Sequence, residues 1–200
     1  MFFDDTIIIP QHISRHAFCS ASFILFDSLL AFVLEYHVTG ILLFFLYVST
    51  MLHWNCVRRM SIIKIVDIIL AISVLSYVTF VDIYRFTPYY QSVWYVYMST
   101  SSVMFVVNQT LFYYQVFKPD SLFRMEITPT EKKNRTKFHY FSFEHTRPNS
   151  ETRELAYYRN VYTHIFFFHI LPPCVSAICS CRSLFLHNSD LRCYHNNLSA

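Results

Sequence analysis

The chain has 200 residues, 54% hydrophobic and 19% aromatic against 14% charged, which is too apolar for an ordinary soluble domain. One glycine, Gly40, and seven prolines argue against a β-rich or loop-rich fold, and apolar runs near twenty residues point to transmembrane helices. The net charge of +3 is small and scattered, which excludes a nucleic-acid binder.

Residues 1–16 carry Asp4, Asp5, Pro10, His12, Arg15 and His16. They lack a cationic start followed at once by an apolar core and a small-residue cleavage site, so the first span is expected to serve as the insertion signal. That span runs from about Ala17 to Glu35 and the second from about Val38 to Val57. Only Tyr36 and His37 separate them, which predicts a tight helical hairpin. After the short basic link Arg58-Arg59-Met60-Ser61, a third span covers about Ile62 to Val81. The break from Asp82 to Pro88 is rich in aromatic residues, as at a membrane interface.

The fourth apolar stretch, Tyr89 to Phe117, exceeds the roughly 20 residues of an upright span. It is expected to be one span that tilts, turns at the interface or is partly re-entrant, with tyrosines at both ends. Residues 118–156 change character: Pro119, Pro129, Pro148 and the run Lys132-Lys133-Asn134-Arg135 read as a polar extramembrane loop. A fifth span, 157–181, is interrupted by Pro172-Pro173, and the tail 182–200 is polar. Of three N-x-Ser/Thr sequons, at Asn108, Asn134 and Asn197, only Asn134 falls clearly in a loop. The expected fold is therefore all-α: a polytopic bundle with about five spans.

Six cysteines form no Cys-x-x-Cys pair, which argues against a secreted disulfide scaffold. Cys179 and Cys181, beside Arg182, are either S-acylation sites or idle thiols.

Ionisable residues in the apolar spans are functional candidates by default. Ser49 and His53 lie four residues apart on one helix face, near the end of span two. Asp67 lies near the start of span three, on the same side of the bilayer. Two further crossings return the chain to that side, so His164 lies about seven residues into the last span and His169 deeper. At about 1.5 Å per residue, His53, Asp67 and His164 share a layer roughly 6–10 Å below the surface.

Three imidazoles with one coordination position left open suit zinc. Asp67 could hold or deprotonate a water, and Ser49 could hydrogen-bond that water or an oxyanion. The bland alternatives are a histidine bonded to a neighbouring helix's carbonyl, and Asp67 paired with Lys64. Ser73, Ser76 and Thr79 read as interhelical contacts. His164 and His169 are five apart, about 140° around an α-helix. The prolines at 172 and 173 clash with the carbonyls of Phe168 and His169, and a kink or π-bulge there would turn both imidazoles to one face.

Together, Tyr36-His37-Val38, Ser49-Thr50-Met51-Leu52-His53-Trp54-Asn55-Cys56, Val66-Asp67-Ile68-Ile69, Tyr162-Thr163-His164 and His169-Ile170-Leu171 resemble the transmembrane protein 8 and myomaker family. That family sits in the wider group of alkaline ceramidases and progestin/adiponectin receptors. The resemblance covers about residues 17–82 and 157–180. It implies a seven-helix fold in which His53, His164 and His169 bind Zn2+, with Ser49 and Asp67 around the water. The activity implied is hydrolysis of a lipid amide or ester bond, as in ceramidases or a phospholipase A2 acting on glycosylphosphatidylinositol anchors.

Three departures from the family pattern, the extra residue between His164 and His169, the polar 118–156 segment and the near-absence of glycine, make a divergent, truncated or misassembled member the expectation. The alternatives are a non-catalytic membrane protein of the same fold, acting in adhesion, fusion or signalling, and a heptahelical-like receptor fragment. Expected partners are membrane lipids, and helices of another chain or of a second copy that complete the bundle. The expected location is the plasma membrane or secretory pathway. The positive-inside rule puts Arg58-Arg59 and the 118–159 loop in the cytosol. Family topology puts them outside, and that is the orientation expected here.

Overall fold

Apolar helices packed side by side make up nearly all of the computed structural model, which describes residues 4–117 and 150–183 together with Phe141, Phe143 and Thr146. A small antiparallel ribbon at one end pairs β1 (Asp4–Ile7) with β2 (Arg58–Met60). The basic link expected between spans two and three is thus partly a strand.

The first rod is α1 (Gln11–Ser20) followed by α2 (Ser22–Val33). Ala21 between them keeps helical angles, so the two act as one membrane-length segment. It begins six residues before the expected Ala17. Ile13 is fully buried, so α1 has an inner face even where its outer face is polar. The turn into α3 (His37–Asn55) falls at residues 34–36, where Glu35 takes a positive φ of 62°. A non-glycine residue is uncommon there, and Arg85 Nη1 donates to the Glu35 carbonyl at 3.1 Å. Gly40 lets α2 and α3 approach: a Cβ would meet the Phe32 ring at 3.0 Å.

The helix α4 (Ile62–Phe80) starts at Ser61, whose hydroxyl accepts from the Lys64 amide at 3.2 Å, an ordinary N-cap. A 3-10 turn at Asp82–Arg85 leads to α5 (Pro88–Phe112), with Pro at its first position. The long fourth stretch is therefore one helix, closed by a π turn at Tyr113–Phe117. The last rod is α6 (Glu151–His164), a π turn at Ile165–Ile170, and α7 (residues 171–183). Ser150 caps α6 by accepting from the Arg153 amide at 3.2 Å, so this helix begins six residues before the expected Tyr157. Most of the 118–156 loop, Asn134 and the tail lie outside the described residues.

Four helical segments are long and apolar enough to cross a membrane: Gln11–Val33, His37–Asn55, Ile62–Arg85 and Glu151–Ser183. This fits an integral membrane protein. At 25 residues α5 has the length, but its Ser, Thr, Asn and Gln keep it out of that set. Two apolar cores divide the bundle. One gathers Leu43, Val74, Ile83, Trp94 and Tyr97; the other gathers Ile13, Trp54, Val57, Phe112 and Val161. Near the second, Arg153 Nη2 donates to the Val116 carbonyl at 3.0 Å and Asn108 Nδ2 to the Asn160 carbonyl at 3.2 Å. Asn108, buried in α5, is no glycosylation acceptor.

Candidate functional site

Near its C-terminal end α3 turns Ser49, Thr50, His53 and Trp54 inward, and all four are buried. Their three- and four-residue spacing is that of one helix face. Across from them on α4, Asp67 is half-buried. Thr50 Oγ1 donates to Asp67 Oδ1 at 2.6 Å. Ser49 Oγ lies 2.8 Å from the same oxygen and 2.9 Å from the Leu46 carbonyl, so its single proton has two competing acceptors. The carboxyl is held by hydroxyls about one turn deeper than His53. Thr50, not Ser49 alone, fixes it.

The last rod supplies the other two imidazoles. In an α-helix His164 and His169 would diverge, but residues 165–170 form a π turn, whose i→i+5 pattern stacks residues five apart. Their ring centroids are 5.1 Å apart, edge to face. The bulge lies just before Pro172 and Pro173, where lost amide donors and ring clashes favour departure from α geometry.

Trp54 is the residue that sequence reasoning overlooked. Its ring centroid lies 5.3 Å from His53, 5.0 Å from His164 and 6.4 Å from His169. One indole therefore touches all three imidazoles. Its Nε1, and Nδ1 of His53, are buried without a hydrogen-bond partner. Such orphaned groups cost stability unless something else engages them.

Ser20, also unforeseen, lies 2.6 Å from His169 Nδ1 and donates to the Ala17 carbonyl at 2.8 Å. If the Ser20 proton goes to that carbonyl, the hydroxyl oxygen can accept from His169 Nδ1–H, the tautomer that keeps Nε2 as a lone-pair nitrogen. An outer hydrogen bond of this kind orients histidine ligands in metal sites.

A second polar cluster, toward the opposite end, was also not foreseen. Asp27, 4% exposed in α2, lines a cavity of about 10 Å3 with Thr39, Asp82, Ser176 and Ser180, room for about one water. Thr39 Oγ1 donates to Asp82 Oδ2. The available signal was a carboxylate inside an apolar run, and Asp27 gave no motif to strengthen it.

The donor set fits zinc in kind: neutral imidazoles, one with an orphaned nitrogen and one with an outer-shell hydroxyl. The 5.1 Å separation of His164 and His169 also matches two imidazoles sharing a tetrahedral ion, about 5 Å for Zn–N near 2.0–2.1 Å. Among the described residues, however, no three His, Cys, Asp or Glu side chains already form a metal-holding group.

No protein-family model, curated protein or solved structure matches this chain.

Proposed function

We propose that the protein is a zinc-dependent hydrolase of a membrane lipid amide or ester, a divergent relative of the transmembrane protein 8 and myomaker family with its seven-helix plan. The observation that carries this reading is the π turn. It brings His164 and His169 together against the same indole that packs on His53.

His53, His164 and His169 would hold the ion, with His53 closing on the other pair past Trp54. When bound, zinc supplies Lewis-acid polarisation of the scissile carbonyl. The chain's own groups supply the rest. Asp67, held by Thr50 and Ser49, takes a proton from the attacking water as oxygen bonds to the carbonyl carbon, and returns it to the leaving amine or alcohol. Ser49, whose proton is shared between two acceptors, is free to turn toward the oxyanion. The apolar core around Trp54 and Phe112 keeps bulk water from the site.

The deciding experiment is zinc content per chain of detergent-purified protein, beside His53→Ala and His164→Ala, followed by lipid hydrolysis assays. Near-stoichiometric zinc, lost in both variants, is expected. Zinc absent from well-folded wild type would end the enzyme reading. The second reading, a non-catalytic member of the same fold serving adhesion, fusion or signalling, is favoured by one observation: the three imidazoles already pack against the indole of Trp54.

A further inference from the structure

Thr39 and His53 stand near opposite ends of α3, and beside Thr39 the bundle closes around the polar cavity of about 10 Å3. Four elements supply its polar wall: Asp27 from α2, Thr39 from α3, Asp82 from the 3-10 turn, and Ser176 and Ser180 from α7. Asp27, Thr39, Asp82 and Ser180 each expose 6% or less of their surface. The space takes about one water or a bare ion, and no organic ligand.

Among the described residues that line it, every polar side chain ends in oxygen. Their hydrogen bonds run among themselves. Thr39 Oγ1 donates to Asp82 Oδ2, Ser176 donates to Asp27, and Ser180 pairs with Tyr36. A hydroxyl that donates keeps its lone pairs, and a carboxylate has about four acceptor sites. Acceptors are therefore in surplus, which a cation or the two protons of a water can meet.

Charge decides between them. Arg85 stacks on the Tyr36 ring, 3.9 Å from its centroid, and stands three residues from Asp82, so it offsets that carboxylate. Asp27, 4% exposed, has no ion-pair partner among the described residues. A carboxylate inside an apolar bundle is costly unless it is paired or bound to a metal. One uncompensated negative charge calls for one positive charge, and hard cations take oxygen ligands. A divalent ion such as calcium would overshoot the charge and needs six to eight oxygens.

We infer that this cavity binds one sodium ion. Asp27 and Asp82 carry the opposing charge, and the Thr39, Ser176 and Ser180 oxygens complete the shell. The ion ties the α2–α3 hairpin to the last rod, at the end of α3 away from the imidazoles. The inference is independent of the hydrolase reading.

The test uses the full chain in neutral detergent, exchanged into choline chloride and titrated with radioactive sodium at fixed ionic strength. Thermal unfolding is followed in parallel, for wild type, Asp27→Asn and Asp82→Asn. One saturable sodium per chain is expected, with an unfolding temperature that rises with sodium concentration as linkage requires. Asp27→Asn keeps the shape and removes the charge, so binding should weaken roughly a hundredfold. In choline chloride it should unfold no earlier than wild type, because the unpaired carboxylate is gone. Asp82→Asn, on a different element, should also weaken sodium binding and serves if Asp27→Asn aggregates.

Folded wild type without saturable sodium would overturn the assignment, and so would sodium binding unchanged in both variants. Equal protection by potassium or choline would reduce the effect to ionic strength and also overturn it. Micromolar calcium displacing the sodium would make the occupant divalent, against the charge count.

Discussion

Asp67 illustrates what one carboxyl in an apolar helix requires. A polar group there needs partners, and α3 offers two hydroxyls that are not equivalent. Thr50 donates at 2.6 Å, whereas Ser49 has the Leu46 carbonyl as an alternative acceptor. Thr50→Val should therefore destabilise the fold by about 1.5 kcal/mol, near the top of the range for interhelical bonds in membranes, and Ser49→Ala by clearly less. Thermal unfolding in detergent compares them, and equal losses would show that the two hydroxyls share the carboxyl. His53 and Asp67 were legible because ionisable residues are rare in apolar spans and their depths matched, and Ser49 because it lies four residues from His53 on the same helix face. Trp54 and Thr50 were not, since an aromatic or hydroxyl residue in a span is ordinary until its neighbours from another helix are known. Asp27 was visible as a lone carboxylate, but nothing in one dimension pairs it with Ser176, 149 positions later.

At the level of elements, the π turn changes what the sequence spacing means. Five residues separate the two imidazoles on the chain, yet their rings sit 5.1 Å apart. Replacing both Pro172 and Pro173 with Ala restores the amide donors and removes the clashes, so the segment should relax to α geometry and set the histidines about 140° apart. If the three imidazoles hold zinc, zinc per chain should fall by more than half while far-UV circular dichroism keeps its helical intensity. Full zinc in the double variant would mean that packing, not proline, sets the bulge. The departure from α geometry was readable because proline acts locally. Helix starts were not, because hydropathy marks the apolar part of a helix and misses the polar turn before it. For α6 the missing signal was a capping pattern, with Ser150 ahead of Glu151 and Glu154 in the first turn. The α2–α3 turn moved for a similar reason: Glu35 adopts the left-handed conformation that a glycine would normally mark. The one glycine, Gly40, is used instead for close packing. Gly40→Leu should therefore weaken the hairpin and lower the unfolding temperature more than Gly40→Ala, whose single methyl has the partly exposed Phe32 ring as its nearest neighbour.

For the whole molecule, burial is unevenly distributed, and α4 shows what surrounds it. Only 11% of its most apolar window is buried, and Ile68, Ile69 and Ile72 expose 44%, 57% and 59% of their surface. α4 packs chiefly on α3, and its outer face is an isoleucine stripe that water would not tolerate over such a length. In an aqueous setting, Ile72→Arg would change stability by no more than about 0.5 kcal/mol, as exposed substitutions do. In a bilayer, residue 72 lies near the middle of a 19-residue helix, where arginine costs about 2.5–3.5 kcal/mol on the insertion scale. An engineered glycosylation site beyond α4, scored in microsomes, should therefore show a marked fall in insertion for Ile72→Arg and little change for Ile72→Leu. Equal insertion of both would mean that this face lies against protein, with a partner helix or second copy covering it. The distinction bears on the site directly, because Asp67 is carried on α4. If lipid alone holds α4 against α3, the Asp67–Thr50 and Asp67–Ser49 contacts are polar ties between the two helices. The proposed base would then be held by the same bonds that dock its helix.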